Sequence, residues 1–291
     1  MNISSWLPWY QKKVNESLSR FFEDRYSSHI SGVESDFVSA IRHAVEWWGK
    51  RIRPILAMIA YEQISGKKCP EDVLQGILGL EFIHCYTLVH DDLPCMDNDC
   101  LRRGQPTVWK KYGETMAVLV GDTLQTLAFE LLSNLGHIDI IREITFALGD
   151  KWVVLWQVRD TLEDQSDFSL EDIISVHDQK TGGFIASSLV IWWMVGWANE
   201  VDIEKLRKYG ILLGRAFQIR DDILDVEGES SIIGKSAWKD MEQNKWLVSL
   251  VGIDNTKKIL QNISEELDEC LLVWNNPKFQ DVKDYVIMRE S

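Results

Sequence analysis

The sequence predicts an all-α fold, and two observations carry that expectation. The six prolines fall at positions 8, 54, 70, 94, 106 and 277, which leaves Thr107 to Asn276 with none. Proline is strongly excluded from helix interiors, so a gap of this length fits a long succession of helices. The apolar residues also recur with the helical period: Leu74, Ile77, Leu78, Glu81, Phe82, Cys85, Tyr86 and Val89 follow i, i+3, i+4, i+7 spacing, with the apolar members on a broad stripe. No convincing alternation of apolar and polar residues marks a strand.

Taken in order, the first strong helix begins near Leu74 and ends at Asp91-Asp92, because Pro94 bars its continuation. Met116 to Leu132 and Leu206 to Leu224 repeat the pattern. Phe184 to Ala198 is the longest apolar stretch. It is shorter than the roughly 20 residues a bilayer span needs, so it reads as a buried helix and no membrane span is expected. Several helices are apolar on more than one side, as at the centre of a multi-layered bundle. Turn signals are short: Ser65-Gly66-Lys67-Lys68, Asn134-Leu135-Gly136, and Val226 to Gly234. None resembles an interdomain linker, and no repeat or low-complexity tract is visible, so residues 1–291 read as one domain. The 13 tryptophans are many for this length, and Trp152/Trp156 and Trp193/Trp197 sit at i,i+4 spacing, as core or subunit-interface residues do.

Hydrophobic content of 45% with 26% charged residues is that of an ordinary globular protein. A formal charge of −14 leaves no broad basic surface for nucleic acid. Five cysteines form no CxxC pair and leave an odd one over, which fits a reducing compartment. Cys95 reads as a spacer, since a thiolate is too soft for a hard cation. The first residues lack a basic segment followed by an apolar run, and a cytoplasmic location is expected.

Two carboxylate groups dominate the chemistry: Asp91-Asp92-Leu93-Pro94-Cys95-Met96-Asp97 and Asp221-Asp222-Ile223-Leu224-Asp225. Basic residues follow each, Arg102-Arg103 after the first and Lys235 and Lys245 after the second. Carboxylates packed against one another are unfavourable unless a cation neutralises them. In the second group Asp221 and Asp225 stack on one helix face with Asp222 beside them. In the first, Asp91 and Asp92 end a helix and Asp97 folds back from the following turn. A helix C-terminus carries a negative dipole, so carboxylates there call for a cation. Mg2+ bridging a diphosphate fits both groups, because Mg2+ prefers a few carboxylates plus phosphate oxygens and water. An acidic, solvated helix surface is the competing reading for a lone DDxxD. The apolar neighbours Ala216, Phe217, Ile219, Ile223 and Leu224, and the existence of a second group, weigh against it.

With these residues in view, the chain resembles the bacterial short-chain trans-isoprenyl diphosphate synthases, of the farnesyl/geranyl diphosphate synthase type. The similarity runs from about Gly49 to Gly234 and returns at Asp284-Tyr285-Val286-Ile287. It rests on Gly49-Lys50-Arg51-Ile52-Arg53-Pro54, Glu81 through Asp92, Leu101-Arg102-Arg103-Gly104, Gly121-Asp122, Lys180-Thr181-Gly182 and Phe217-Gln218. Each is weak alone; their order and spacing are specific. The resemblance implies an isoprenoid synthase bundle around a central apolar cavity. In it Asp91, Asp92 and Asp97, with Asp221, Asp222 and Asp225 facing them, hold Mg2+, three ions per site, on an allylic diphosphate. Arg102, Lys180 and Lys235 contact that diphosphate, with Thr181 and Gln218 beside the reacting carbons. Lys50, Arg53, His84 and Arg103 bind isopentenyl diphosphate. His84 lies seven residues before Asp91, on nearly the same helix face about two turns away; His90 reads as structural.

The implied reaction is ionisation of the allylic diphosphate, attack by the isopentenyl double bond, and proton loss. By the same resemblance Tyr86, about 7.5 Å along the axis from Asp91 at 1.5 Å per residue, closes the tail pocket together with Ile83, Thr87 and Met116. It favours (2E,6E)-farnesyl over geranylgeranyl diphosphate. A homodimer is implied too. The chain departs from the family at Trp48 and Trp156, which replace glycines, and at Arg159 before Asp160. After Lys245 it reads Trp246-Leu247-Val248-Ser249, one residue short. A terpene cyclase would pair one DDxxD with an Asn/Ser/Glu metal motif, whereas a second DDxxD and Lys50, Arg53 and His84 are present here. A non-catalytic partner subunit would be expected to have lost aspartates, which this chain keeps, and the departures near Trp156 and Trp246 leave that reading open.

Overall fold

The computed structural model describes residues 3–27, 31–46, 49–162, 168–195, 200–232, 246–272, 274 and 276–289. Trp48, Trp197, Gly234, Lys235 and Lys245 lie outside the described residues, as do the side chains of Asp160 and Trp246. The chain is all-α, as expected, and forms two compact units. One is Trp6–Arg142; the other is Glu143–Ser291 with Met1–Ser5.

The first unit contains α1 (Leu7–Arg25), α2 (Val33–Glu46), α3 (Ile52–Ser65), α4 (Glu71–Asp91), α5 (Val108–Tyr112), α6 (Glu114–Ser133) and the start of α7 (Ile138–Leu148). Its centre is α4, which packs against α1, α2, α3 and α6. The helix is enclosed because its apolar stripe is wide: Leu74, Ile77, Leu78, Leu80, Phe82 and Ile83 are all buried. Each such side chain contributes about 1.5–3 kcal/mol of burial free energy. Phe82 meets Phe21 edge-on with centroids 5.2 Å apart, and stacks on Phe22 at 6.1 Å.

By length and composition α4 and α6 are both apolar enough to cross a bilayer, which the sequence reading credited to no helix. Core helices of soluble proteins pass the same criterion, and 67% of the apolar window of α4 is buried against protein.

One polar residue interrupts the α4 stripe. Glu81 is 2% exposed, and its carboxylate accepts a 2.7 Å hydrogen bond from the Arg51 guanidinium, equally buried. Arg51 precedes α3 with φ of 56°, a left-handed conformation that is costly for a residue with a Cβ. The same side chain donates to Asn15 at 3.0 Å and so joins α1, α3 and α4.

The second unit contains the end of α7, α8 (Val153–Leu162), α9 (Leu170–His177), one π-helical turn (Asp178–Gly182), α10 (Gly183–Val195), α11 (Glu200–Ile232), α12 (Trp246–Val251), α13 (Ile253–Leu271) and α14 (Pro277–Met288). A reciprocal cap between Ser169 and Asp172 starts α9. α10 is the buried helix expected near Phe184, and it is enclosed from Phe184 to Trp192. Tyr209, Trp274 and Phe279 pack edge-on, with the Tyr209 hydroxyl donating to the Phe279 carbonyl at 2.8 Å.

Two local expectations need correction. The turn expected from Val226 does not form there, since α11 stays helical to Ile232. Packing on α13, with Lys257 and Glu227 paired at 2.8 Å, outweighs the weak helix propensity of this polar, glycine-containing segment. Two very short strands, Leu101–Arg102 and Gln105–Pro106, form an antiparallel hairpin where no strand was foreseen. Two residues are too few to show alternation.

Removing the Glu81 carboxylate leaves a buried guanidinium uncompensated. Glu81→Ala should therefore lower unfolding free energy by about 3–5 kcal/mol, measured by urea denaturation against wild type.

Candidate active site

In the first unit, the chain beyond α4 is shaped by hydrogen bonds that the aspartate spacing permits. Asp91 is the last helical residue and Asp92 caps it. The Asp97 amide then donates back to the Asp91 carbonyl at 2.9 Å, as the sequence led us to expect. The cation required at this helix end is Arg102. Its Nε donates to Asp92 Oδ1 at 2.7 Å, and the same guanidinium approaches Asp99 at 3.5 Å. Burial pushes the Asp92 carboxyl upward, against the pull of Arg102. Asp91 is half-buried and Asp97 exposed.

The hairpin that delivers Arg102 turns through Arg103 (φ 51°) and Gly104 (φ 78°), two successive left-handed residues. That is the geometry of a tight two-residue turn, and it explains the glycine in Leu101-Arg102-Arg103-Gly104. Arg103 at the tip approaches the Arg51–Glu81 pair. A Cβ on Gly49 would lie 2.9 Å from Glu81 Oε1, 3.1 Å from an Arg51 nitrogen and 3.3 Å from an Arg103 nitrogen. Segments separated in sequence are thereby assembled into one cationic niche around the N-terminus of α3 and the middle of α4.

Half-buried His84 faces this niche. Burial holds its imidazole well below the usual histidine range, and the charges of Arg53, Arg103, Arg102 and Arg51 act in the same direction. It is neutral at physiological pH and offers a hydrogen bond rather than a charge. Burial also pulls Arg53 down to about 10. Arg53, His84 and Arg103, three of the residues expected for isopentenyl diphosphate, are thus together. Lys50 is exposed, and its carbonyl accepts from Gln11 Nε2 at 3.2 Å. Arg51 and Glu81, which support the niche, were missed as site residues. An acid on an otherwise apolar stripe was the available signal, because a buried charge demands a partner.

Tyr86 is buried on α4, one turn before His90, with ring centroids 6.1 Å apart. His90 Nε2 lies 3.1 Å from the Val118 carbonyl of α6, which fits its structural reading.

In the second unit, Asp221, Asp222 and Asp225 lie on α11. Asp222 is buried and its pKa is pushed up to about 7, chiefly by burial and then by Asp225 and Asp221. Its Oδ2 has no hydrogen-bond partner among the described residues. His177 Nε2 lies 3.8 Å from that oxygen, but burial drives this histidine down to about 3, with Lys180 and Arg215 adding to the effect. Both members of the pair are thus biased toward their neutral forms. Asp221 is paired with Arg289, whose guanidinium also donates to the Phe217 carbonyl at 3.1 Å and lies 3.9 Å over the Phe217 ring. Arg220 holds the Arg289 carbonyl at 2.9 Å. The motif reading stopped at Ile287 and missed Arg289.

Lys180 and Thr181 occupy the π turn, with Lys180 exposed and Thr181 buried. Arg215 fixes the start of this turn through a two-point contact with Asp178, at 2.9 and 2.7 Å. At Gly214 α11 comes so close that a Cβ would lie 2.5 Å from Gly182 Cα. Lys180 Nζ stands 4.4 Å from the centroid of the Trp156 ring. Gln218 is half-buried on α11, three residues before Asp221. The departure at Arg159 has a local account: its guanidinium covers Phe168 at 5.5 Å and approaches Asp172 at 3.9 Å.

Do these residues suit a divalent cation? Among the described residues no three His, Cys, Asp or Glu side chains form a ready-made cage. Mg2+ takes one or two carboxylates and completes its shell with phosphate and water. A buried carboxylate with an unpartnered oxygen, beside two more carboxylates, is a donor set such an ion satisfies.

Residues 34–285 match the Polyprenyl synthetase family model. The chain belongs to the polyprenyl synthetase family. It is 36% identical over 248 residues to geranylgeranyl pyrophosphate synthase 4 of Arabidopsis thaliana, which covers 82% of this chain and 66% of that protein. To a chloroplastic geranylgeranyl pyrophosphate synthase of Capsicum annuum it is 35% identical over 264 residues, 87% of this chain and 71% of the relative. Among solved structures it is similar to an FPP/GFPP synthase from Zymomonas mobilis, with a TM-score of 0.81, 29% identity, and 98% and 99% of the two chains covered. A geranyltransferase from Legionella pneumophila gives a TM-score of 0.81 at 27% identity, covering 98% and 96%. The family is one of prenyltransferases, in agreement with the resemblance read from the motifs.

The raised pKa of Asp222 makes a pH-dependent contribution to stability. Its carboxyl holds a proton more tightly folded than unfolded, so stability is lost as pH rises from the ordinary value of 3.8 towards about 7. Asp222→Asn should match wild type in Tm near the lower value and exceed it increasingly up to neutral pH, measured by thermal melts in chelator.

Proposed function

We propose that this chain condenses isopentenyl diphosphate with an allylic diphosphate, dimethylallyl or geranyl, to give (2E,6E)-farnesyl diphosphate. Residues 1–291 act on this reading as one polyprenyl synthetase domain, since the family match extends through both units. The observation that carries it is the pairing of two carboxylate clusters with a separate cationic niche. One diphosphate must leave and needs divalent cations; the other needs only anchoring.

Asp91, Asp92 and Asp97, and Asp221, Asp222 and Asp225, are the groups proposed to hold Mg2+, three ions per site. Mg2+, when bound, supplies the positive charge that a departing diphosphate requires. Lys180, Arg102 and Lys235 are proposed to take further charge from the same leaving group, with Thr181 and Gln218 beside the reacting carbons. Arg53, His84, Arg103 and Lys50 would bind the isopentenyl diphosphate. Guanidinium groups suit this role because they meet phosphate oxygens bidentately and stay charged. His84 adds a hydrogen bond to the niche. The allylic bond breaks, the isopentenyl double bond attacks the resulting cation, and a proton leaves the condensed product. Enclosing apolar residues matter because water would quench that cation.

Tyr86 supports a C15 product: its ring is buried about one and a half turns before the aspartates, where it would block a longer tail. A second reading, geranylgeranyl diphosphate synthesis, is favoured by the names of the curated relatives. A homodimer is carried over from the family it resembles, and a cytoplasmic location from the cysteine usage and the N-terminal sequence, whereas the Capsicum relative is chloroplastic by name.

Incubation with isopentenyl and geranyl diphosphates and Mg2+, with products resolved by chain length, decides between the readings. A dominant C15 product is expected, and a dominant C20 product would select the alternative. Tyr86→Ala should shift the distribution toward C20. Asp91→Asn and Asp221→Asn should each lower turnover by roughly 100-fold or more, as losing a group that stabilises developing charge does. Unchanged turnover in both would remove the basis of the assignment.

A further inference from the structure

Trp156, one of the departures noted in the sequence, lies against the exposed side chain of Lys180. The residue is 6% exposed, on the face of α8 that packs against the π turn. The Lys180 ammonium stands 4.4 Å from its ring centroid. The indole N–H has no hydrogen-bond partner among the described residues, so what the ring presents is its face. One turn earlier Trp152 closes on Gly183, where a Cβ would lie 2.5 Å from the indole. With Arg215 on Asp178 and Gly214 against Gly182, the backbone carrying Lys180 is held from α8 and from α11. The lysine side chain is another matter. A lysine stem has four rotatable carbons, and an ammonium that is not held in place is a poor ligand for a phosphate oxygen. An aromatic face attracts a cation through its quadrupole, and tryptophan does so most strongly.

We propose that Trp156 is a positioning residue, whose indole face holds the Lys180 ammonium in place to receive the allylic diphosphate. This rests on the reading of Lys180 as a ligand of that diphosphate. The tryptophan itself touches no reacting atom.

The test compares Trp156→Phe, which keeps an aromatic face, with Trp156→Leu and Trp156→Met, which keep apolar bulk without one. Each is made alone and with Lys180→Ala, and folding is checked by thermal melts. Steady-state KM is measured separately for geranyl and isopentenyl diphosphates, and inorganic pyrophosphate binding with Mg2+ by calorimetry. Leu or Met should raise KM for the allylic substrate by about 3- to 10-fold, the range of a partly exposed cation–π contact. They should weaken pyrophosphate binding in parallel and leave KM for isopentenyl diphosphate unchanged. Phe should stay close to wild type, and in the Lys180→Ala background the Trp156 substitutions should add nothing. Equal damage from Phe and Leu, equal rises in both KM values, or full additivity with Lys180→Ala would overturn the proposal. If Lys180→Ala leaves the allylic KM and pyrophosphate binding intact, the reading of Lys180 fails, and the proposal with it.

Discussion

Carboxylates gathered in poorly solvated places must be matched by positive charge, and both units are organised around that constraint. At the end of α4 the match for Asp92 is Arg102. On α11, Asp221 is met by Arg289, while Lys180 eases the ionisation of Asp222 without cancelling the effect of burial and its aspartate neighbours. The same constraint operates in reverse around Glu81, which anchors a group of arginines whose mutual repulsion would otherwise go unopposed. Sites of this kind favour multivalent ions because several partial charges remain to be neutralised.

Irregular backbone does the positioning. The hairpin turn at Arg103-Gly104 sends one arginine to Asp92 and another to the Arg51–Glu81 pair, a divergence that a continuous helix could not provide. The π turn between α9 and α10 inserts a residue into the helical register and places exposed Lys180 beside buried Thr181. Such single-turn bulges recur at functional positions because they re-aim side chains while keeping the helix intact. Rigid helices on either side hold these distortions in place.

Particular residues show how far the sequence could be read. Pro94 located the end of α4, and the Asp97 amide does return to Asp91 as the spacing required. The wide stripe from Leu74 to Val89 announced a central helix, and α4 is one. The extension of α11 past Val226 was hidden, because glycine and serine signal a turn locally while packing on α13 acts from far along the chain. Trp156 was visible as a departure and as a core or interface residue, but its place beside the Lys180 ammonium was not.

The sequence by itself determined the helical class, the two carboxylate groups and the family, because periodicity, proline placement and motif order are all properties of a linear string. Tertiary structure alone decided which cation answers which carboxylate. Asp221 and Arg289 are 68 positions apart, and Arg51 and Glu81 30 apart. Periodicity names the face a side chain occupies, but not the distant segment packed against that face. Charge pairing depends on distance and burial, which exist only once the helices have docked.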